Sequence, residues 1–153
     1  MKKLHKRTIR KLINRTAATK QVFNLKEFLE KAEVPAIPIT IDNKDYIVLL
    51  DTGSDASYLD SKYLNEIQTK KHVGNQEEII SGTSIKNQGS NVYEVKFTCG
   101  GKQFVEDFTE NNFEQIFDFI EEHHQVKLYG ILGTRFLMKY KCILDFDKLV
   151  FYL

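Results

Sequence analysis

Between Ala36 and Leu50 two short apolar runs, AIPITI and YIVLL, flank the polar turn DNKD, and the second ends without a break on Asp51-Thr52-Gly53-Ser54-Asp55. Runs of this length bounded by turn residues suit strands better than helices, so the pair reads as a hairpin. An acid that terminates an apolar strand is carried out of a core into a tight turn. The glycine two places on permits backbone angles and a close approach that a side chain would block. Whatever the chain folds into, it must contain a β-layer that presents Asp51 at the end of a buried strand.

The rest of the chain continues in the same texture. A short helix is expected from Asn24, as N-cap, through Lys31, and a second from about Asp60 to Ile67. EEIISGTSIKNQG, with Gly82 near its tip, reads as a β pair. In SNVYEVKFTCGGKQFVEDF alternating residues flank the tight turn Gly100-Gly101. Asn111 and Glu114 have capping-box spacing ahead of a helix over 112–124, where Phe113, Ile116, Phe117 and Ile120 share one face. That stripe is expected to be core rather than a peptide groove. YGILGTRFLMKY and CILDF-DK-LVFYL close the chain as strand, short helix and terminal hairpin.

Composition excludes several classes. With 153 residues, 42% hydrophobic and 28% charged, the chain suits one globular domain with a tail. No apolar run is long enough to span a bilayer, and the basic N-terminus lacks the apolar stretch of a secretory signal, so no membrane partner and a cytoplasmic location are expected. The net charge of +1 conceals eight Lys or Arg and no acid within residues 1–20. Such an arm is read as a solvated tail, with binding of nucleic acid or an anionic surface, or a cleavable leader, as alternatives; nucleic acid is not the expected partner. The organisation expected is a basic arm and short helix over 1–33 and a folded domain over 34–153. Cys99 and Cys142 are the only cysteines and are expected to be reduced and buried.

Asp-Thr-Gly alone is a weak signal, but three segments in order are more specific: VLLDTGSD at 48–55, IISGTS at 79–84 and GILGTRFL at 130–137. Together they resemble the retropepsin-like aspartic proteases over about residues 36–153. The resemblance implies a mainly β fold, a single-lobe acid-protease barrel with a flap hairpin and two to three helices. It implies a homodimer that cleaves polypeptide, with Asp51 from each copy forming the catalytic pair. Two carboxylates held face to face share one proton; the ionised member activates water and the protonated member donates to the developing oxyanion. Water is the nucleophile, so no cofactor and no metal are expected.

By the same resemblance Thr52 locks the two loops across the dimer axis and Gly53 meets substrate backbone. Ser81, Gly82 and Thr83 belong to the flap, and Leu132-Gly133 passes beside the catalytic loop. Asp55 is read either as a substrate-backbone ligand or as a turn cap. Ser54 is expected to hydrogen-bond near Asp51, which argues for an acidic working range. No second Asp-Thr/Ser-Gly exists, and Asp145 and Asp147 sit in a hairpin turn, so the partner acid must come from another copy. The apolar end LVFYL would be a sticky edge unless a dimer covers it.

Departures from the pattern are plain. The flap segment has one glycine, and Arg135 stands one place later than the bracing arginine of retroviral enzymes, so no role is carried over to it. His123-His124 lack metal-ligand spacing and read as residues favoured by a helix C-terminus. A haloacid-dehalogenase-type phosphatase would need an acid where Gly53 stands. The standing alternative is the same fold used, without catalysis, for dimerisation or peptide binding.

Overall fold

The computed structural model describes residues 20–76, 79–81, 84–86 and 89–153. In chain order its elements are β1 (Val22–Asn24), α1 (Lys26–Ala32), β2 (Ala36–Ile41), β3 (Lys44–Leu50), β4 (Ser57–Asp60), α2 (Ser61–Leu64), β5 (Lys71–Gln76), β6 (Ile79–Ser81) and β7 (Ser84–Lys86). There follow β8 (Ser90–Cys99), β9 (Lys102–Asn111), α3 (Glu114–His124), β10 (Gly130–Leu132), α4 (Thr134–Lys139), β11 (Ile143–Asp145) and β12 (Val150–Tyr152).

The main sheet runs β2-β3-β10-β4-β9-β8-β5 and closes through a further β2–β8 pairing at Thr40 and Thr98, so six of its strands form a barrel. Local chemistry sets the hairpins. Asp42 and Asn43 take positive φ values of 50° and 64°, and Gly100 and Gly101 take 56° and 80°, which are the angles that two-residue hairpin turns require. Alternation then sorts the side chains. Ile37, Ile39, Ile41, Tyr46, Val48 and Leu50 point into the barrel with Phe97, Phe108 and Leu132. Helix α4 closes one end by placing Phe136, fully buried, 5.9 Å from Phe97 and 6.0 Å from Phe104 between ring centroids. Each such buried aromatic contributes about 2–3 kcal/mol of transfer free energy. The mainly β barrel matches the expected retropepsin-like fold.

The outward face of β3, β10 and β4 carries a second apolar cluster. Ile47, Leu49, Tyr58 and Ile131 pack there against Phe28 and Ala32 of α1, Phe117 and Ile120 of α3, and Val126 and Leu128. The stripe on α3 is thus core at Phe117, but Ile116 is 62% exposed, contrary to its expected place on the packed face. The cap also differs: Glu114 N donates to Asn112 Oδ1 at 2.9 Å, not to Asn111, and Phe113 N donates to Asp60 Oδ2 at 3.0 Å. The N-cap of α1 is Leu25 rather than Asn24, although Asn24 Oδ1 accepts from Lys26 N at 2.8 Å.

The chain end corrects another expectation. β12 lies between β1 and β11 in a separate three-stranded sheet, and Gln21 and Leu153 exchange backbone bonds of 2.8 and 2.9 Å. Phe151 is fully buried and Leu153 nearly so. The terminal run is therefore covered by its own chain, and its stickiness is no argument for a dimer. The arm over 1–19, and Gly82 and Thr83 of the expected flap tip, lie outside the described residues. β6 and β7 form a two-stranded ribbon in which Ser81 pairs with Ser84.

Both cysteines are free. Burial pushes the Cys99 thiol up to about 12 and the Cys142 thiol up to about 11. Since the thiolate is the reactive form, Cys99, which is also buried, is not expected to react with maleimide within an hour at neutral pH in folded protein; Cys142, only partly buried, is expected to react more slowly than after unfolding, when both react. Mass spectrometry of the native and denatured reactions checks this. Among the described residues no helix is long and apolar enough to cross a membrane.

Candidate functional site

β3 hands the chain to Asp51 with its alternation intact. Leu50 faces the barrel and Leu49 the outer cluster, and Asp51 follows directly at the strand end. The backbone of Asp51 is held by the neighbouring strand, Asp51 N donating to Leu132 O at 3.1 Å. β10 runs parallel to β3, with Leu132 opposite Leu50, and antiparallel to β4 on its other side. This wedge between two strands brings Leu132-Gly133 beside the Asp51 turn.

The turn after Asp51 is tight. Gly53 N donates to Asp51 Oδ1 at 2.8 Å and Ser54 N to Asp51 O at 3.3 Å. A Cβ on Gly53 would stand 3.1 Å from that same carboxylate oxygen. Asp51 is partly exposed, while Thr52 and Gly53 are exposed, so the turn faces outward from the chain. Ser54 differs from expectation. It is buried, and its hydroxyl donates to Ala56 O at 2.8 Å rather than to Asp51. The argument from this hydroxyl for an acidic working range therefore fails.

Helix α4 grips the turn from the other side. Thr134 N donates to Ser54 O at 2.8 Å, Arg135 N to Asp55 O at 3.0 Å, and Thr134 Oγ1 to Thr52 O at 3.1 Å. Gly133 makes this approach possible: a Cβ there would lie 2.1 Å from Ala56 O. Asp55 does two things. Its Oδ1 accepts from Ala56 N at 2.8 Å, as a turn cap does, and its Oδ2 pairs with Arg135 Nη2 at 2.9 Å. Sequence reasoning left Arg135 without a role because its position is one place off the pattern; the start of α4 at Thr134 is what carries its side chain to Asp55.

Glu106 was also missed. It occupies an inward position of β9 between Phe104 and Phe108, is 8% exposed, and accepts from Ser57 Oγ at 3.1 Å. The signal was present in the segment FVEDF, where an acid falls on the apolar phase of the alternation. Near the C-terminus of α3, His123 Nδ1 lies 2.9 Å from Phe119 O and His124 Nδ1 2.9 Å from Lys31 O. Asp145 accepts from Lys148 N at 2.9 Å within the β11–β12 turn.

Comparison with known proteins gives a fold and little more. No protein-family model and no curated protein sequence matches the chain. Among solved structures it is similar to the EIAV protease complexed with the inhibitor HBY-793, with a TM-score of 0.53 and 18% identity over 71% of this chain and 88% of that one.

Proposed function

We propose that this chain is one half of an aspartic endopeptidase, working in the cytoplasm as a homodimer in which the Asp51 carboxylates of two copies face each other across a two-fold axis. The observation that carries the reading is the Asp51 turn itself. An acid ends a buried strand, its backbone is fixed by Leu132, its carboxylate accepts from Gly53 N, and the turn faces outward within a retropepsin-like barrel. That placement suits a group that must meet both a substrate and a partner acid.

The chemistry follows from the pair. Like charges at contact distance share one proton, so one Asp51 serves as base toward a bound water and the other as acid toward the carbonyl oxygen. Thr52, exposed next to the acid, is assigned to the contact between the two turns, with its carbonyl already held by Thr134. Gly53 and Asp55 are assigned to the substrate backbone, Asp55 with Arg135 as its brace. The β6–β7 ribbon, with Ser81, Gly82 and Thr83, is assigned as the flap over the cleft.

A second reading has one observation in its favour. Leu49 and Ile131, on the outward face of the two strands that carry and fix the Asp51 turn, are packed in one cluster with residues of α1 and α3. Helices covering the strands behind the turn suit a module that binds peptide or dimerises without cutting. Incubating purified protein with a diverse peptide pool across about pH 4–7, the range such acid pairs favour, tests the two readings. New termini produced by the protein support the endopeptidase; peptides retained uncut on a sedimenting dimer support the module.

A further inference from the structure

Three consecutive residues hold the Asp51 turn. Leu132 O takes the Asp51 amide, and Thr134 takes the carbonyls of Ser54 and Thr52. Between them the Gly133 amide donates to Ser57 Oγ at 3.2 Å, and Ser57, 1% exposed, donates onward to Glu106. A line of hydrogen bonds thus runs from a buried carboxylate on β9 to the strand that fixes Asp51.

We propose that Glu106 is a positioning residue for the Asp51 turn, acting through Ser57 on the Gly133 amide; as a catalytic effect this rests on the endopeptidase reading. The groups around Glu106 are few. On β4 it meets Ser57, and on β8 its partner is the buried Val95. From α4 Lys139 Nζ stands 4.0 Å from Glu106 Oε2, with Arg135 farther off, and Asp107 adjoins it on β9. Lys139 is mostly in solvent, so its pairing is weak.

Burial raises the Glu106 pKa above the ordinary carboxylate range, against the opposing effects of the Ser57 bond and Lys139. The raised value sets the sign. The stability linked to this group is complete below the unfolded-state pKa and is lost as pH rises through the folded-state pKa. Ionised Glu106 therefore costs the fold stability relative to the protonated form. It also makes the charge-assisted bond that orders Ser57, and through it Gly133. A local liability joined to the site is the pattern expected of a functional group.

Backbone amide shifts of Gly133 and Asp51 in the full chain, followed from about pH 4 to 8, test the inference without relying on cleavage. Wild type is expected to show an inflection above the ordinary glutamate range at Gly133 that Glu106→Gln lacks. Glu106→Gln keeps an acceptor for Ser57 and is expected to fold with equal or greater stability at neutral pH. In cleavage assays Glu106→Leu is expected to lower kcat about tenfold with KM within about twofold, and Glu106→Gln to remove the matching limb of the pH profile. Should Glu106→Leu fail to fold, the Gln variant carries both readouts. The same Gly133 titration in wild type and Glu106→Gln, or an unchanged pH profile, overturns the inference. An inflection lost in Glu106→Gln in a protein that cuts nothing supports the positioning while refuting the endopeptidase reading.

Discussion

Asp51→Asn is expected to lower kcat/KM by at least about 10³-fold while leaving fold and assembly intact. Asparagine matches aspartate in shape, and its Oδ1 can accept the 2.8 Å bond that Gly53 N gives the carboxylate. The turn therefore keeps its geometry, and the change in thermal stability is expected to stay within about 1 kcal/mol. What disappears is the base. A pair of amides can neither take a proton from water nor share one across the axis. Steady-state kinetics on a peptide found in the pool, beside a melting curve, checks both halves. Residual activity above about 1% of wild type would mean that the chemistry resides elsewhere.

The largest structural effect is expected at Gly133. A Cβ there would sit 2.1 Å from Ala56 O, 2.5 Å from Ala56 C and 3.0 Å from Ser54 O, all of them backbone atoms. Side chains can swing aside, but here β10 and the turn must separate. That movement breaks the bonds from Thr134 and Arg135 to Ser54 and Asp55. Gly133→Val is expected to cost about 3 kcal/mol or more, lowering the melting temperature by about 10 °C, and to abolish cleavage in whatever folds. Gly89→Ala is the control, since nothing lies within 4 Å of the added carbon. Equal melting temperatures for the two variants would refute the close approach at Gly133.

Local pattern made much of this legible in the chain. The hairpin over 36–50, the Gly100-Gly101 turn, the strand-to-turn step at Asp51 and the strand-to-helix step at Gly133 each depend on neighbours a few residues apart, and each is where the pattern put it. Partners distant in sequence were not legible. β1 covers β12 across nearly the whole chain, and an edge-strand argument sees only that a cover is needed, not which segment supplies it. Hydroxyls were equally opaque. Ser54 and Ser57 are three residues apart, yet one bonds a carbonyl in its own turn and the other a carboxylate on another strand. A serine's acceptor is decided by packing. Arg135 and Glu106 entered the site by the same route, through helix placement and strand phase rather than through a motif.

Subunit mixing tests the shared-site claim most directly. Wild type and Asp51→Asn protein are combined in equal amounts, allowed to exchange subunits, and assayed at constant total concentration. If each active site takes one Asp51 from each of two copies, only dimers of two wild-type chains cut, and activity falls to about one quarter of the unmixed value. If each chain acts alone, activity falls only to about one half, and the paired-Asp51 account is wrong.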